Sequence, residues 1–277
     1  MYQLIQIGGS DACDFLQGQL TQDVAKLAAS TSLPAAWCNP KGRVITVLRL
    51  LALPDSIGLV VPGSLADGVA NKLGMYRFRS KVSIERPPDD WTCMAVSDPR
   101  AFDLLEGARL LPGANAVASG GALIAVDYSV ADRFVEIFGS DRAFSDAGLR
   151  FNSPLPDAAW RGMRIRAGLA DITSANSEKY TPHMLNLDRV GAISFNKGCY
   201  TGQEVVARTE NLGESKRRLM RYRCDARDIA IGDKLADGGR DVGTVVNVAG
   251  NELLAVTPVD MHDRSLSINA ATAHPIQ

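Results

Sequence analysis

The chain has 277 residues, 46% hydrophobic and 22% charged, with a formal net charge of −1. That is the composition of a globular protein with enough chain for two or three cores. It argues against wholesale electrostatic capture of nucleic acid, though a local basic patch stays open. No run of about 18 apolar residues offers a transmembrane helix.

Met1 to Ile7 reads as the start of a strand, without the charged region or cleavage site of a signal peptide. Ser10 or Asp11 caps a short helix from Asp11 to Gln17, with Gly18 at its end. Ala35-Ala36-Trp37-Cys38 runs into Asn39-Pro40-Lys41-Gly42-Arg43, a turn joining two antiparallel strands. Val44 to Leu53 reads as a strand buried on both faces and interrupted by Arg49. A helix follows from Ser64 to Gly74. Over Met75 to Ile84 the cations Arg77, Arg79 and Lys81 recur at every second residue, with Tyr76, Phe78, Val82 and Ile84 on the other, mostly apolar face. A period of two predicts a strand with one cationic face. That face is either a solvated sheet surface or a receiver of carboxylates or phosphates.

Arg86-Pro87-Pro88-Asp89-Asp90 marks a boundary. Beyond it Trp91 to Val96 is a strand, Asp98-Pro99 opens a helix stopping near Gly107, Ala122 to Tyr128 and Arg133 to Phe138 are strands, and Ser140 or Asp141 starts a helix ending at Gly148. Asn152 to Pro156 is a linker, and Asp157 to Ala167 an amphipathic helix with Trp160, Met163 and Ala167 on its apolar side. A long polar loop, Asp171 to Asn186, leads to Ala192-Ile193-Ser194-Phe195, a short buried strand. After Arg208 come short alternating strands at Lys216–Cys224, Asp241–Val248, Glu252–Thr257 and Ser265–Asn269, separated by glycine turns. They predict a small antiparallel barrel. The organisation expected is a first α+β lobe over 1–86, a second over 87–210 with segments open to exchange, and a barrel over 211–277.

The most demanding stretch is Asn196-Lys197-Gly198-Cys199-Tyr200-Thr201-Gly202-Gln203-Glu204. Gly198 is expected at positive φ or at a close backbone approach. Thr201 and Glu204 form a capping box that starts a helix at about Gly202. Cys199 then precedes a helix N-terminus, two residues after Lys197, where the dipole and the ammonium both favour thiolate. The alternative is a structural Cys in a strand–turn–helix joint. The stretch 196–223 is locally basic, with seven Lys/Arg against three Glu. The five Cys, at 13, 38, 93, 199 and 224, are scattered, as are His183, His262 and His274. That fits free thiols in a reducing, cytoplasmic setting and supplies no zinc or iron–sulfur ligand cassette.

Lys197-Gly198-Cys199-Tyr200-Thr201-Gly202-Gln203-Glu204 resembles the signature of the YgfZ family, folate-binding proteins related to the aminomethyltransferase of the glycine cleavage system. Phe15 to Val24, Asn39 to Arg43, Arg166 to Leu169, Asn186 to Asp188 and Lys216 to Leu219 match the family in the same order. The resemblance implies an α+β fold of two ferredoxin-like lobes plus a C-terminal small antiparallel β-barrel, set around a central hole where folate binds. It implies tetrahydrofolate or another reduced folate as cofactor. The implied role is the assembly or repair of iron–sulfur enzymes and, through them, tRNA modification. Partners would be iron–sulfur proteins or their assembly factors, with no membrane and little direct tRNA binding.

On that footing Cys199 and Lys197 are the candidate reactive pair, and Asn186, Tyr200, Gln203 and Glu204 are candidates for holding the cofactor. The aminomethyltransferases carry an acidic residue at the position matching Cys199, and a Tyr-Thr-Gly-Glu motif whose Glu holds the pterin. Here Tyr128-Ser129-Val130-Ala131-Asp132 lacks that Glu, so Asp132 is the candidate substitute. Arg77, Arg79 and Lys81, or Lys41 and Arg43, are candidates for the folate glutamate tail. The alternative function is a folate-dependent one-carbon transferase.

Overall fold

The computed structural model describes residues 2–86, 90–113, 115–120, 122–128, 132–151, 154–226 and 228–276. The expected break at Pro87 to Asp89, the linker residues Asn152 and Ser153, and Ser129 to Ala131 lie outside them. The first lobe runs β1 (Tyr2–Gly8), α1 (Ala12–Gln17), β2 (Ser32–Cys38), β3 (Val44–Ala52), β4 (Ser56–Pro62), α2 (Gly63–Met75) and β5 (Ser83–Glu85). Its sheet order is β2-β3-β4-β1-β5, a ferredoxin-like βαββαβ unit with β2 added at one edge.

The second lobe runs β6 (Trp91–Val96), α3 (Pro99–Gly107), β7 (Val117–Gly120), β8 (Leu123–Asp127), β9 (Val135–Ser140) and α4 (Asp141–Asp146). Its order, β6-β9-β8-β7, repeats β1-β4-β3-β2 strand for strand, with no counterpart of β5 among the described residues. Its helices start as the sequence predicts: the Asp98 and Ser140 side chains accept from the amides of Ala101 and Ala143. The two sheets pack face to face. Leu4, Leu51 and Val60 meet Val126, Phe134 and Phe138, and the layer is closed by Trp160 and Met163 of α5 (Asp157–Arg166).

After α6 (Gln203–Leu212), β10 (Arg217–Cys224), β11 (Lys234–Asp237), β12 (Arg240–Ala249), β13 (Glu252–Pro258), β14 (Leu266–Ile268) and β15 (Ala271–Ile276) close an antiparallel barrel. Its outer surface shares a core with the first lobe and with α5 and α6: Leu219, Val246, Leu254 and Val256 pack with Cys38 and Val44 of the first lobe and with Ile165, Ile172 and Val206. No helix among the described residues is long and apolar enough to cross a membrane.

Several local expectations are corrected. Residues 76–82 are not a strand: only Ser83–Glu85 pairs with β1, because β1 ends at Gly8 and Gly9 (φ 103) turns the chain away. With no neighbour to ladder with, Arg77, Phe78 and Arg79 form an exposed turn. Asp11 stands at the cap of α1 but does not cap it; its carboxylate accepts from the Lys81 amide (2.7 Å). Ala192 to Phe195 is not a strand, since its polar groups turn to Thr21: Thr21 Oγ1 donates to the Ala192 carbonyl (2.7 Å) and the Ser194 amide to the Thr21 carbonyl (2.9 Å). The Thr201–Glu204 capping box is not formed. The cap of α6 is Gly202 at φ 82 without a side-chain hydrogen bond, and Glu204 pairs with Arg208 (2.7 Å). Gly198 is not among the residues at positive φ, and a Cβ there would meet nothing within 4 Å.

Candidate functional site

Two places draw the functional residues together. The first is the joint where three of the sequence motifs meet. Gly42 (φ 67) and Gly202 (φ 82) face each other: a Cβ on Gly202 would stand 2.5 Å from the Asn39 carbonyl oxygen and 3.1 Å from the Gly42 Cα. The Asn39–Arg43 turn is therefore seated directly on the start of α6, an approach that only glycine permits. The Lys197 Nζ donates to the carbonyls of Gln17 (2.7 Å), Leu20 (2.7 Å) and Gln22 (2.8 Å), so it locks the exit of α1 to this joint. Burial pulls its pKa down to about 8, against the opposing pull of Asp23 and Cys13. Lys197 also lies over the Tyr200 ring, 5.1 Å from its centroid. Tyr200 is buried, and burial pushes its phenol pKa up. Cys199 is exposed at the surface of the joint, whereas Cys38, beneath Gly202, is buried and pushed up to about 12. A surface thiol is open to chemistry and a buried one is not.

The second place is central, where α5 passes between the lobes and the barrel. The sequence placed Arg164 off the apolar side of α5; the structure buries it. Its guanidinium donates to Asp171 (2.9 Å from Nη2) and to Glu136 (3.2 Å from Nη1), and it covers the rings of Tyr2 (4.5 Å) and Tyr128 (5.2 Å). Glu136 on β9 is fully buried and also accepts from Trp160 Nε1 (3.1 Å) and from the Tyr128 hydroxyl. Burial raises its pKa, opposed by Arg164 and by those hydrogen bonds. The Tyr2 hydroxyl donates to Asp171. Asn247 of β12 fastens the barrel to this hub by two hydrogen bonds with the Asp171 backbone, accepting from its amide (2.9 Å) and donating to its carbonyl (2.8 Å).

Two cavities flank the hub and share Tyr2 and Arg164 as their common wall. The larger, about 320 Å³, is lined by Trp160, Asp171, Thr173, Ser174 and Asn247 among others. That is at the lower end of the small-molecule range of roughly 300–1,000 Å³. The smaller is a mostly apolar slot of about 40 Å³ between Leu48, Arg49, Tyr128, Leu187 and Ala192. Arg49 is buried there over the Tyr128 ring (4.4 Å), held by Ser32 Oγ (2.8 Å) and Asn115 Oδ1 (2.5 Å).

None of the twelve residues singled out in the sequence lines either cavity. Lys41 is exposed on its turn, and Arg43 Nη1 donates to the Lys179 carbonyl (2.9 Å). Asp132, half exposed, pairs with Arg166 (2.7 Å). Asn186 adopts φ 56 and donates to the Leu219 carbonyl (2.9 Å) at the barrel. The Gln203 amide donates to the Tyr200 carbonyl (3.1 Å), and Glu204 lies on the surface. Arg77, Arg79 and Lys81 are on the exposed turn after α2. The central residues left their mark in the sequence only as exceptions: Arg49 and Glu136 are single charges inside apolar strands. Trp160 was read as core, and its Nε1 donor is what ties it to Glu136. A further trio, His183, Asp188 and Glu210, brings ligand atoms within 4.8 Å of one another. Arg218 Nη1 already sits 2.7 and 2.8 Å from the two Asp188 oxygens, so this cluster has its cation.

No protein-family model matches the chain. The tRNA-modifying protein YgfZ of Klebsiella pneumoniae (strain 342) is 35% identical over 258 residues, covering 88% of this chain and 78% of that one. Its namesake from Yersinia pestis (strain Pestoides F) is 31% identical over 258 residues, covering 89% and 77%. The chain belongs to the YgfZ family. The YgfZ protein of Enterobacter sp. (strain 638) is 33% identical over 233 residues, covering 79% and 68%. The crystal structure of glycine cleavage system aminomethyltransferase T from Bartonella henselae superposes with a TM-score of 0.80 at 20% identity, covering 100% of this chain and 82% of that one. Membership of the YgfZ family thus comes with the aminomethyltransferase fold expected from the sequence: mixed α/β with a closed six-stranded antiparallel barrel.

Proposed function

We propose that this chain is a tetrahydrofolate-binding factor that supports tRNA modification by helping to assemble or repair iron–sulfur enzymes. The observation that carries the folate half is the central cavity. Its shared wall of Tyr2 and Arg164, with Trp160 beside them, is ordered by the buried Glu136 carboxylate and the partly exposed Asp171 carboxylate. Tyr2 and Trp160 offer aromatic surface to a bicyclic ring, their centroids 5.3 Å apart and tilted by 57°. The Thr173 and Ser174 hydroxyls offer polar atoms for ring amino and amide groups. These residues fit a reduced pterin, and Glu136 acts behind them as a positioning residue. The bound folate would supply the capacity to carry a one-carbon unit. The tRNA half is supported by the name of the relatives, the iron–sulfur half by the family resemblance and by a surface-exposed Cys199.

The geometry favours a binding role over aminomethyl transfer. No carboxylate, histidine or thiol lines the slot, and in the larger cavity Asp171 is engaged by Arg164 and Tyr2 and Asp157 by Arg161 (2.7 Å). A general base needs a free acceptor within reach of its proton. Calorimetry with tetrahydrofolate on the wild type, Tyr2→Ala and Cys199→Ala tests the reading. The wild type and Cys199→Ala should bind alike and Tyr2→Ala more weakly. Absence of wild-type binding removes the folate half, and loss in Cys199→Ala alone moves the pocket to the motif joint.

A further inference from the structure

We propose that the turn from Met75 to Lys81 is a docking surface for single-stranded RNA. It rests on the tRNA-modification reading and adds to it a direct contact between this chain and the nucleic acid. Phe78 is 87% exposed and Met75 68% exposed, the two largest such exposures among the hydrophobic side chains described. Arg77 and Arg79 flank Phe78, are exposed, and make no hydrogen bond or ion pair through their side chains among the described residues. Lys81 extends the cationic stretch, with the Asp11 carboxylate on its backbone amide. In a chain of net charge −1 this is a local concentration of positive charge.

Phe78 sits at φ 43. A bulky aromatic in the left-handed region is uncommon and unfavourable, and such strain is kept where the surroundings impose it. Here they do. At the near end Tyr76 packs edge-on against Trp37, with centroids 6.1 Å apart. Within the turn the Ser80 amide donates to the Arg77 carbonyl (2.8 Å). At the far end Val82 is buried, and the Lys81 backbone is held by Asp11 and by the close approach of Gly9, where a Cβ would lie 2.2 Å from the Lys81 carbonyl oxygen. The turn is therefore fixed at both ends and presents an aromatic ring to solvent at a cost in backbone energy.

A rigid exposed ring between guanidinium groups matches the two recurring surfaces of a single strand. Bases stack on aromatic faces whatever their identity, and phosphates pair with guanidinium forks. A duplex offers the phosphates but keeps its bases stacked on each other. The sequence hid this surface, because a period of two placed Phe78 on the mostly apolar face of a strand.

The test is fluorescence anisotropy of the full chain with a fluorescein-labelled 17-nucleotide single-stranded RNA at several salt concentrations, alongside tetrahydrofolate calorimetry on the same samples. The variants are Phe78→Ala, Phe78→Trp and the double variant Arg77→Gln with Arg79→Gln. All of these side chains are exposed, and thermal melts establish that the variants are folded. The expected result is a roughly 5- to 150-fold loss of affinity in Phe78→Ala with retention in Phe78→Trp. The double variant should lower the slope of log affinity against log salt by about 1.4. The proposal is overturned if the wild type shows no binding at micromolar concentrations in low salt, or if Phe78→Ala binds like the wild type. Preferential co-sedimentation with phosphatidylserine vesicles, lost in Phe78→Ala, would also overturn it by assigning the surface to a membrane. Normal tetrahydrofolate binding without RNA binding refutes this inference alone; the converse refutes the folate reading alone.

Discussion

Two glycines four residues apart in the Lys197–Glu204 signature make opposite predictions. Gly202 has φ 82, and a Cβ there would lie 2.5 Å from the Asn39 carbonyl oxygen, 3.1 Å from the Gly42 Cα and 3.2 Å from the Cys38 Cβ. Two of these three are backbone atoms in a turn that cannot swing aside as a side-chain tip would. In Gly202→Ala the left-handed conformation costs roughly 1–2 kcal/mol. The forced separation of the turn from α6 adds about 1–3 kcal/mol, the usual range for overpacking. Together they give a loss of ~2–5 kcal/mol, or roughly 4–10 °C in melting temperature at ~2 °C per kcal/mol for a chain this long. Gly198→Ala meets no atom within 4 Å. It should stay within about 0.5 kcal/mol of the wild type, as surface substitutions do. Urea denaturation followed by tryptophan fluorescence, with thermal melts in parallel, measures both. If Gly198→Ala loses as much as Gly202→Ala, the claim that the two motifs are joined through Gly42 and Gly202 is wrong.

Arg164→Met leaves the buried Glu136 and the partly exposed Asp171 without their cation and should cost about 3–5 kcal/mol in urea denaturation. Adding Glu136→Gln should recover part of that loss, and an absence of rescue would show that Arg164 contributes by packing rather than by charge. Lys197, with a folded pKa near 8 against an ordinary 10.5, makes the unfolded chain the stronger proton binder between those values. Wild-type stability should therefore rise with pH across that window relative to Lys197→Met, which lacks the group. Parallel pH profiles of the two would contradict this.

The fold was legible where the sequence carried a local signal with one physical meaning. Asp98-Pro99 and Ser140 announced their helices because a short oxygen-bearing side chain before a helix has little else to do. The barrel was visible as closely spaced strands, although β11 and β15 escaped, being short and half polar. The failures share a cause: alternation at 75–84 and capping chemistry at Thr201–Glu204 are local rules, and each was overridden by a distant segment. Gly9 removed the neighbouring strand, and the Asn39–Arg43 turn held Gly202 in a left-handed conformation.

The candidate site was less legible for the same reason. Its hub joins Tyr2, Arg49, Tyr128, Glu136, Trp160, Arg164 and Asp171, drawn from four separate parts of the chain. The signature at 197–204 was easy to find, and its Lys197, Tyr200 and Gly202 build the joint rather than the cavity.

The second lobe lacks the strand that would correspond to β5 among the described residues. In its place the Leu155 amide makes a single hydrogen bond to the Ala95 carbonyl (2.8 Å) of β6, between Pro154 and Pro156. Proline cannot donate to a ladder, so this segment guards the open sheet edge against pairing with another chain without becoming a strand itself. It is then free to turn at once into α5. A lobe completed like the first would commit these residues to a sheet, and Trp160 and Arg164 would never reach the middle of the molecule. The incomplete repeat is what makes room for the central cavity.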